Sequence, residues 1–413
     1  MTINLVLTLF AGTTLLLSAF SRQLQRVSLP GPLLALAAGV LIGPHALDLL
    51  RIEDLGVPTG TLLEQASRLT LAVGLAGVAM RLPHGYWRSS TSWLGLIIGV
   101  GMVAMLAVAT GVLWALLGVP FLLALLLGAI VTPTDPVVTT PIVTGSLAED
   151  RIPDQVRHDL SAESGINDGL GYLFVLLPVL LLTKPDTAWH ELLTTVLVRE
   201  VLGAALLGVV AGYLLGRLFV LAEDKGLMEE SSYLGFLLPL ALFVLGAAKL
   251  VGTDAVLAVF VAAAVFGQVI PQRDEAQEDK VEDAVNRFFL LPIFVLLGLA
   301  LPIGSWLELS WVVPLALLAA VLLRRLVTLW LLRPLLRPVH DRSETAFLSW
   351  FGPIGVSALF YATLAERLTG HSEIFVWTTL AVTLSVLVHG LSTAPASAWL
   401  QRRQSTRHPP RAD

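Results

Sequence analysis

Apolar runs separated by short polar stretches recur along the whole chain, at about 3–20, 30–47, 62–80, 93–117, 121–144, 159–183, 194–221, 232–250, 254–270, 285–303, 311–332, 345–366 and 374–399. A helix needs roughly 20 predominantly apolar residues to cross the hydrocarbon core of a bilayer. The pattern therefore predicts an all-α polytopic membrane protein of about thirteen transmembrane helices, of which the second and ninth are short for the task. Two runs are interrupted. The fifth, FLLALLLGAIVTPTDPVVTTPIVTG, holds Pro133, Pro136 and Pro141 together with Thr132, Thr134, Asp135, Thr139 and Thr140. The twelfth, TAFLSWFGPIGVSALFYATLAE, holds Gly352, Pro353 and Gly355 at its middle. Proline cannot continue a regular helix, and backbone that leaves the helix at membrane depth is tolerated only where it lines a cavity or is buried in protein. A proline kink satisfied by threonine hydroxyls is the plainer account of the fifth run, but Asp135 in the break favours a binding site.

Paired interruptions point to an inverted-repeat transporter. Helices 1–6 (about 3–183) pair with helices 8–13 (about 232–399) if helix 7 (about 194–221) is a linker, which brings the two breaks to corresponding places. The chain then reads as a single membrane transporter domain, 1–413, ending in a basic cytoplasmic tail, 400–413. The position of the breaks carries this reading; residue-level self-similarity between the halves does not.

The polar residues are densest in Ser161 to Gly169, SAESGINDG, at the head of the sixth run. A charged side chain at the centre of a membrane helix costs about 2.5 to 3.5 kcal/mol on insertion scales, so Glu163 and Asp168 require a reason, and ion transport is the default one. On a helix Glu163 and Asn167 share one face, and Ser164 and Asp168 share another roughly 100° round. Ser164 and Asp168 can thus offer oxygens to one small hard cation. Gly165 and Gly169 allow a neighbouring helix to approach closely. The competing account is a helix N-terminus with acids favourably placed in its first turn.

Composition agrees with the membrane reading. Of 413 residues 55% are hydrophobic and only 14% charged, against about 25% in soluble domains, and the mean hydropathy is +0.80. With no cysteine, disulfides, thiol catalysis and cysteine metal sites are excluded. The first run is followed rather than preceded by basic residues, Arg22 and Arg26, and reads as a retained helix. With the N-terminus outside, eighteen Lys and Arg fall on inner loops and six on outer ones, which supports an N-out, C-in topology in a cell (inner) membrane.

Arg324 and Arg325 lie inside the eleventh run, where they either snorkel to the inner face or pair with a carboxylate, Glu163 being the candidate. Lys249 and Asp254 read as a surface or interfacial pair in a short outer turn. The mixed-charge loop Gln272 to Arg287 reads as a solvated amphipathic connector. His158 titrates in the right range to sense protons, though an ordinary exposed histidine is the plainer account.

TDPV at Thr134 to Val137, ESGINDG at Glu163 to Gly169, FFLLPIFVLLGLALP at Phe288 to Pro302 and the intrahelical arginine together resemble the NhaP-type sodium/proton antiporters of the monovalent cation:proton antiporter family. The resemblance runs in order over nearly the whole chain. It implies two inverted repeats with crossed broken helices 5 and 12, a homodimer, and exchange of Na+ (or Li+) for H+ with no cofactor beyond the transported ions. By motif, Asp168 is the ion- and proton-binding carboxylate and Asn167 its neutral neighbour. Asp135, Ser164 and Thr134 are further ligands of the transported Na+ or support them, and Glu163 pairs with an arginine. Arg325 fits the family spacing better than Arg324. The related electrogenic branch carries two adjacent Asp where this chain has Asn167 and Asp168, so exchange here is expected to be electroneutral, by alternating access with competition for Asp168.

The sequence departs from the family twice. Ala76 precedes Gly77 where many relatives carry an acid, and Thr253-Asp254 replaces the usual Ser-Gly, adding an acid near the outer entrance. Three other functions compete with Na+/H+ exchange: a K+/H+ antiporter, a Na+-coupled organic-anion symporter of similar fold, and an intramembrane aspartyl protease built from Asp135 and Asp168. The symporter would need more polar residues at the breaks, and neither TPTDP nor INDGLG suits a protease. No nucleic-acid role and no enzyme activity are implied.

Overall fold

In the computed structural model, residues 2–19, 30–144, 146–227, 233–271, 289–336 and 340–405 are described, and among them the regular structure is helical throughout. The principal helices are α1 (Thr2–Ala19), α2 (Gly31–Ile42), α3 (Thr59–Met80), α4 (Thr91–Leu117), α5 (Phe121–Val131), α6 (Pro136–Val143), α7 (Asp154–Thr183) and α8 (Ala188–Asp224). After these come α9 (Tyr233–Val251), α10 (Ala255–Val269), α11 (Leu291–Ala300), α12 (Val312–Leu336), α13 (Arg342–Trp350), α14 (Val356–Thr369) and α15 (Glu373–Ser405). Five of them, α4, α7, α8, α12 and α15, are long and apolar enough to cross a membrane unaided. Each predicted apolar run contains a helix, and the two interrupted runs each contain two, α5 with α6 and α13 with α14.

Proline and glycine set the ends. Pro30, Pro58, Pro120 and Pro153 precede α2, α3, α5 and α7 with extended ψ, as residues that cannot join the preceding helix. At α13 the start is a capping box: the Asp341 carboxylate accepts from the Ser343 and Glu344 amides while Glu344 accepts from the Asp341 amide. Helix α7 packs on α10 by placing Phe260 against Gly165 and Leu257 against Gly169, so both glycines take side chains into their clefts. Helix α10 also lies along α3 and α8, and α12 lies along α4.

Two expectations need correction, and the described part of a third gains detail. Helix α7 starts at Asp154, two and a half turns before Glu163, so Glu163 and Asp168 are mid-helix groups and the first-turn account of them fails. Helix α15 runs on to Ser405 and buries Leu400, so the tail from 400 begins as packed helix. Asp254 is buried, and its carboxylate caps α10 through the Val256 and Leu257 amides instead of pairing with Lys249 at a surface. The Gln272 to Arg287 loop lies outside the described residues, as do Arg22 and Arg26.

Candidate ion-binding site

The two interruptions meet. Between α5 and α6 the chain leaves the helix at Thr132 to Asp135, and between α13 and α14 at Phe351 to Gly355. The Asp135 amide donates to the Pro353 carbonyl at 2.8 Å, joining the breaks backbone to backbone. The Asp135 carboxylate then accepts from two helix starts: the Val138 amide at 3.4 Å in α6, and the Val356 amide in α14. An anion shared by two helix N-termini satisfies orphan donors and meets the positive end of both dipoles. Glycine at 355 is needed for this approach, since a Cβ there would lie 2.6 Å from Asp135 Oδ2.

The orphan carbonyls on the other side of the breaks go to Arg324. Its guanidinium donates to Thr132 O at 2.6 Å, Gly352 O at 2.7 Å and Pro133 O at 3.4 Å. One planar fork thus closes both interruptions. Arg325 turns the other way, donating through Nη1 and Nη2 to the two oxygens of Glu163, the second at 2.8 Å, and through Nε to Leu348 O. Both arginines are buried, at 0% and 1% exposure, so neither snorkels. Between the alternatives left by the sequence, Arg325 is the partner of Glu163, and Arg324 has a separate task that the sequence does not disclose.

Helix α7 passes alongside the break of α5 and α6. Asn167 accepts from the Thr134 amide at 3.1 Å and donates to Thr134 Oγ1 at 2.8 Å, and Thr134 Oγ1 lies 3.1 Å from Ser164 Oγ. The site residues named from sequence, Thr134, Asp135, Glu163, Ser164, Asn167, Asp168, Arg324 and Arg325, are therefore brought to one buried region. They do not play equal parts. Asp168 is fully buried, and neither of its carboxylate oxygens has a hydrogen-bond partner among the described residues. Facing it from α14 is Ser357, also fully buried, whose hydroxyl is near enough to act on the Asp168 carboxylate but makes no hydrogen bond of ordinary geometry. Tyr361, one turn further along α14, donates its hydroxyl to the Asp168 carbonyl. Neither Ser357 nor Tyr361 stands out in the sequence; the available signal is their i, i+4 spacing directly after the second break.

At the N-terminal end of α7, Asp159 is held just as firmly as Glu163. It accepts from Tyr86 Oη at 2.6 Å and Gln155 Nε2 at 2.9 Å, and pairs with His340 Nε2 at 2.8 Å. His340 lies in the loop before α13 and contacts Glu344 as well, at 3.3 Å. Burial alone would lower the His340 pKa, but the hydrogen bonds and charges of Asp159 and Glu344 outweigh it and push it up to about 9. His158 is half-buried, with its ring edge-on to Tyr86.

Comparison with known proteins places this arrangement. Residues 11–399 match the family described as sodium/hydrogen exchanger, transmembrane. The Na(+)/H(+) antiporter 2 of Zygosaccharomyces rouxii is 30% identical over 86% of this chain and 48% of its own length, so the chain spans about half of that relative. A Na(+)/H(+) antiporter of Schizosaccharomyces pombe is 27% identical over 96% of this chain and 91% of its own length. The solved structure of the sodium proton antiporter MjNhaP1 from Methanocaldococcus jannaschii at pH 8 superposes with a TM-score of 0.73 at 19% identity, covering 97% of this chain and all of that one, which establishes a shared fold. On the match over residues 11–399, the chain belongs to the sodium/hydrogen exchanger family of membrane transporters.

Proposed function

We propose that this protein exchanges Na+ (or Li+) for H+ across a cell membrane, with Asp168 as the group for which the two ions compete. The observation that carries the reading is the buried, unpartnered Asp168 carboxylate. An ionised carboxylate left unbonded inside a protein is costly, and either a proton or a bound cation removes that cost. Ser357 and Ser164 stand by as neutral oxygen donors of the kind a hard cation takes. Asp135, by contrast, has its carboxylate bonded to two helix starts, so its part is to fix the interruption beside Asp168. Alternating access follows if the helices bearing the breaks move as one body against the rest, and the two halves are proposed to be inverted repeats in a homodimer. The Lys and Arg asymmetry supports an N-out, C-in orientation.

A K+/H+ reading has one support: a relative from Shewanella sp. (strain ANA-3) named K(+)/H(+) antiporter NhaP2, 27% identical over 94% of this chain and 65% of its own length. One experiment separates the readings. In inverted vesicles with an imposed pH gradient, followed by a fluorescent probe, Na+ or Li+ is expected to dissipate the gradient and K+ to leave it. Dissipation by K+ alone transfers the reading to K+/H+ exchange, and none by any of the three ions overturns antiport.

A further inference from the structure

Beyond Asp168, toward the C-terminal end of α7, a second pair of carboxylates is brought together by helices that take no part in the interruptions. Helix α8 packs so closely on α10 that a Cβ at Gly208 would lie 2.7 Å from Ala258 O, and one at Gly212 would clash with Ala262 O. This fixes the register between the helices, and the Asp254 amide donates to Glu200 O at 3.1 Å. Glu200 lies in a π-helical stretch, Leu192–Leu202, which turns its side chain out of the ordinary α register. Such stretches are rare.

Within this pair, one oxygen on each carboxylate is buried without a partner among the described residues, Glu200 Oε2 and Asp254 Oδ2. Asp254 is 8% exposed, and its other oxygen is used up in capping α10. Tyr172 lies close enough to Glu200 and Asp254 to feel the charge of both, and it is four residues beyond Asp168 on the same face of α7. Tyr361, which binds the Asp168 carbonyl, feels the charge of Asp254 as well. Among the described residues no basic group forms an ion pair with either carboxylate. Lys249 acts on Asp254 through space rather than as a bonded partner, Arg367 is held by Glu64 at 2.8 Å and 3.0 Å, and Arg199 lies against Gly252. Two neighbouring carboxylates, each left with a buried oxygen that lacks a partner, are stabilised as anions by a positive charge beside them.

We propose that Glu200, Asp254 and Tyr172 form a second, outer site for a monovalent cation, holding it one helical turn from Asp168. The proposal rests on Asp168 being the exchange site. A single positive charge fits better than a divalent ion, which takes six or more oxygens and would also repel Lys249 and Arg199. "Outer" is the side to which the Lys and Arg asymmetry assigns the C-terminal end of α7.

The test is direct binding of radioactive Na+ to the purified full chain carrying Asp168→Asn, which removes the central charge. That variant is expected to keep one saturable Na+ component, and adding Asp254→Asn or Glu200→Gln to it should weaken that component by roughly tenfold or more, a loss of about 1.4 kcal/mol per tenfold. Asparagine caps a helix about as well as aspartate, so Asp254→Asn removes charge and keeps the start of α10. Glu200→Gln touches no cap and repeats the measurement if the first variant does not fold. Absence of saturable Na+ binding in the Asp168→Asn chain, or binding indifferent to both added changes, overturns the outer site. In oriented proteoliposomes with Asp168 intact, Glu200→Gln should raise the half-saturating Na+ concentration from the outer face alone. An equal shift from both faces, or none, also overturns it. Exchange that survives Asp168→Asn would instead refute the role of Asp168, and the binding measurement would still judge the outer pair.

Discussion

Helix α7 carries three buried acids, and its N-terminal half and its middle treat them in opposite ways. Asp159 has three side-chain partners and Glu163 a two-pronged arginine, while Asp168, little more than a turn further on, has none. Asp135, across the interruption, is held by donors like the first two. Burial does not distinguish these groups, since all four carboxylates are 0% exposed. Satisfaction does. A buried carboxylate surrounded by donors is a fixed part of the framework, whereas one without donors is stable only with a proton or a cation on it. The difference teaches where to look for the mobile charge: at the acid the framework leaves unsatisfied.

The largest effect is therefore expected at Asp168. Asp168→Asn keeps the shape and removes the charge, so Na+-driven dissipation of a pH gradient should vanish while the variant is inserted and purified like the parent. Residual exchange above roughly a few per cent would erase the contrast and move the central role to Asp135.

Glu163 and Arg325 test the satisfied side. Removing one partner of a buried ion pair leaves an uncompensated charge, at a cost of about 3 to 5 kcal/mol. Glu163→Ala and Arg325→Ala should each lower the melting temperature in detergent substantially, and the double variant should be milder than the sum of the two. Strictly additive losses would mean the pair is not a coupled unit.

A smaller effect concerns His340 and Asp159, where the difference is in pH. His340 is raised from an ordinary value of 6.5 to about 9 in the folded protein. A group with a raised folded pKa stabilises fully below its unfolded pKa and loses that contribution as pH climbs through the folded one. Thermal stability in detergent should therefore fall between about pH 6.5 and 9 on account of this group. His340→Gln, which keeps a donor and cannot titrate, should be less stable at the acid end and flatter across the window. An unchanged slope would show that His340 does not bind its proton more tightly in the folded state.

How far the sequence discloses this arrangement depends on the range of the interaction. Hydrophobic run length sets helices, and proline and glycine set breaks, so the all-helical membrane fold and both interruptions are legible in the order of residues. Thr134, Ser164, Asn167 and Asp168 are legible because two short motifs carry them. The task of Arg324 is not, because its three carbonyl acceptors come from two breaks far apart in the chain, and freed carbonyls leave no mark on a side-chain pattern. Asp254 misleads for a related reason. Its neighbourhood in sequence, with Lys249, looks like a surface turn, while its burial is decided by α8 packing across it from well upstream. Ser357 resembles any small residue of an apolar helix until the meeting of the breaks turns it toward Asp168.

The smallest expected effect is none at all, and it bears on whether Asp168 alone changes its charge. Asn167 is an amide that neither gains nor loses a proton near neutral pH, and both ends of it are bonded to Thr134. Glu163 is fixed to Arg325, and Asp135 holds two helix starts, so protonating either would cost bonds that protonating Asp168 does not. One carboxylate alternating between one H+ and one Na+ moves no net charge per cycle. The membrane potential, worth about 2.3 kcal/mol per charge per 100 mV, then has no purchase on the exchange equilibrium. In proteoliposomes with the potential set by a K+ gradient and valinomycin, the pH gradient that just balances a given Na+ gradient should be the same with and without the potential. A balance point that moves with voltage would show an additional proton travelling. The Asp135 carboxylate would then be the first to re-examine, because it lies beside Asp168 and its release would loosen both interruptions together.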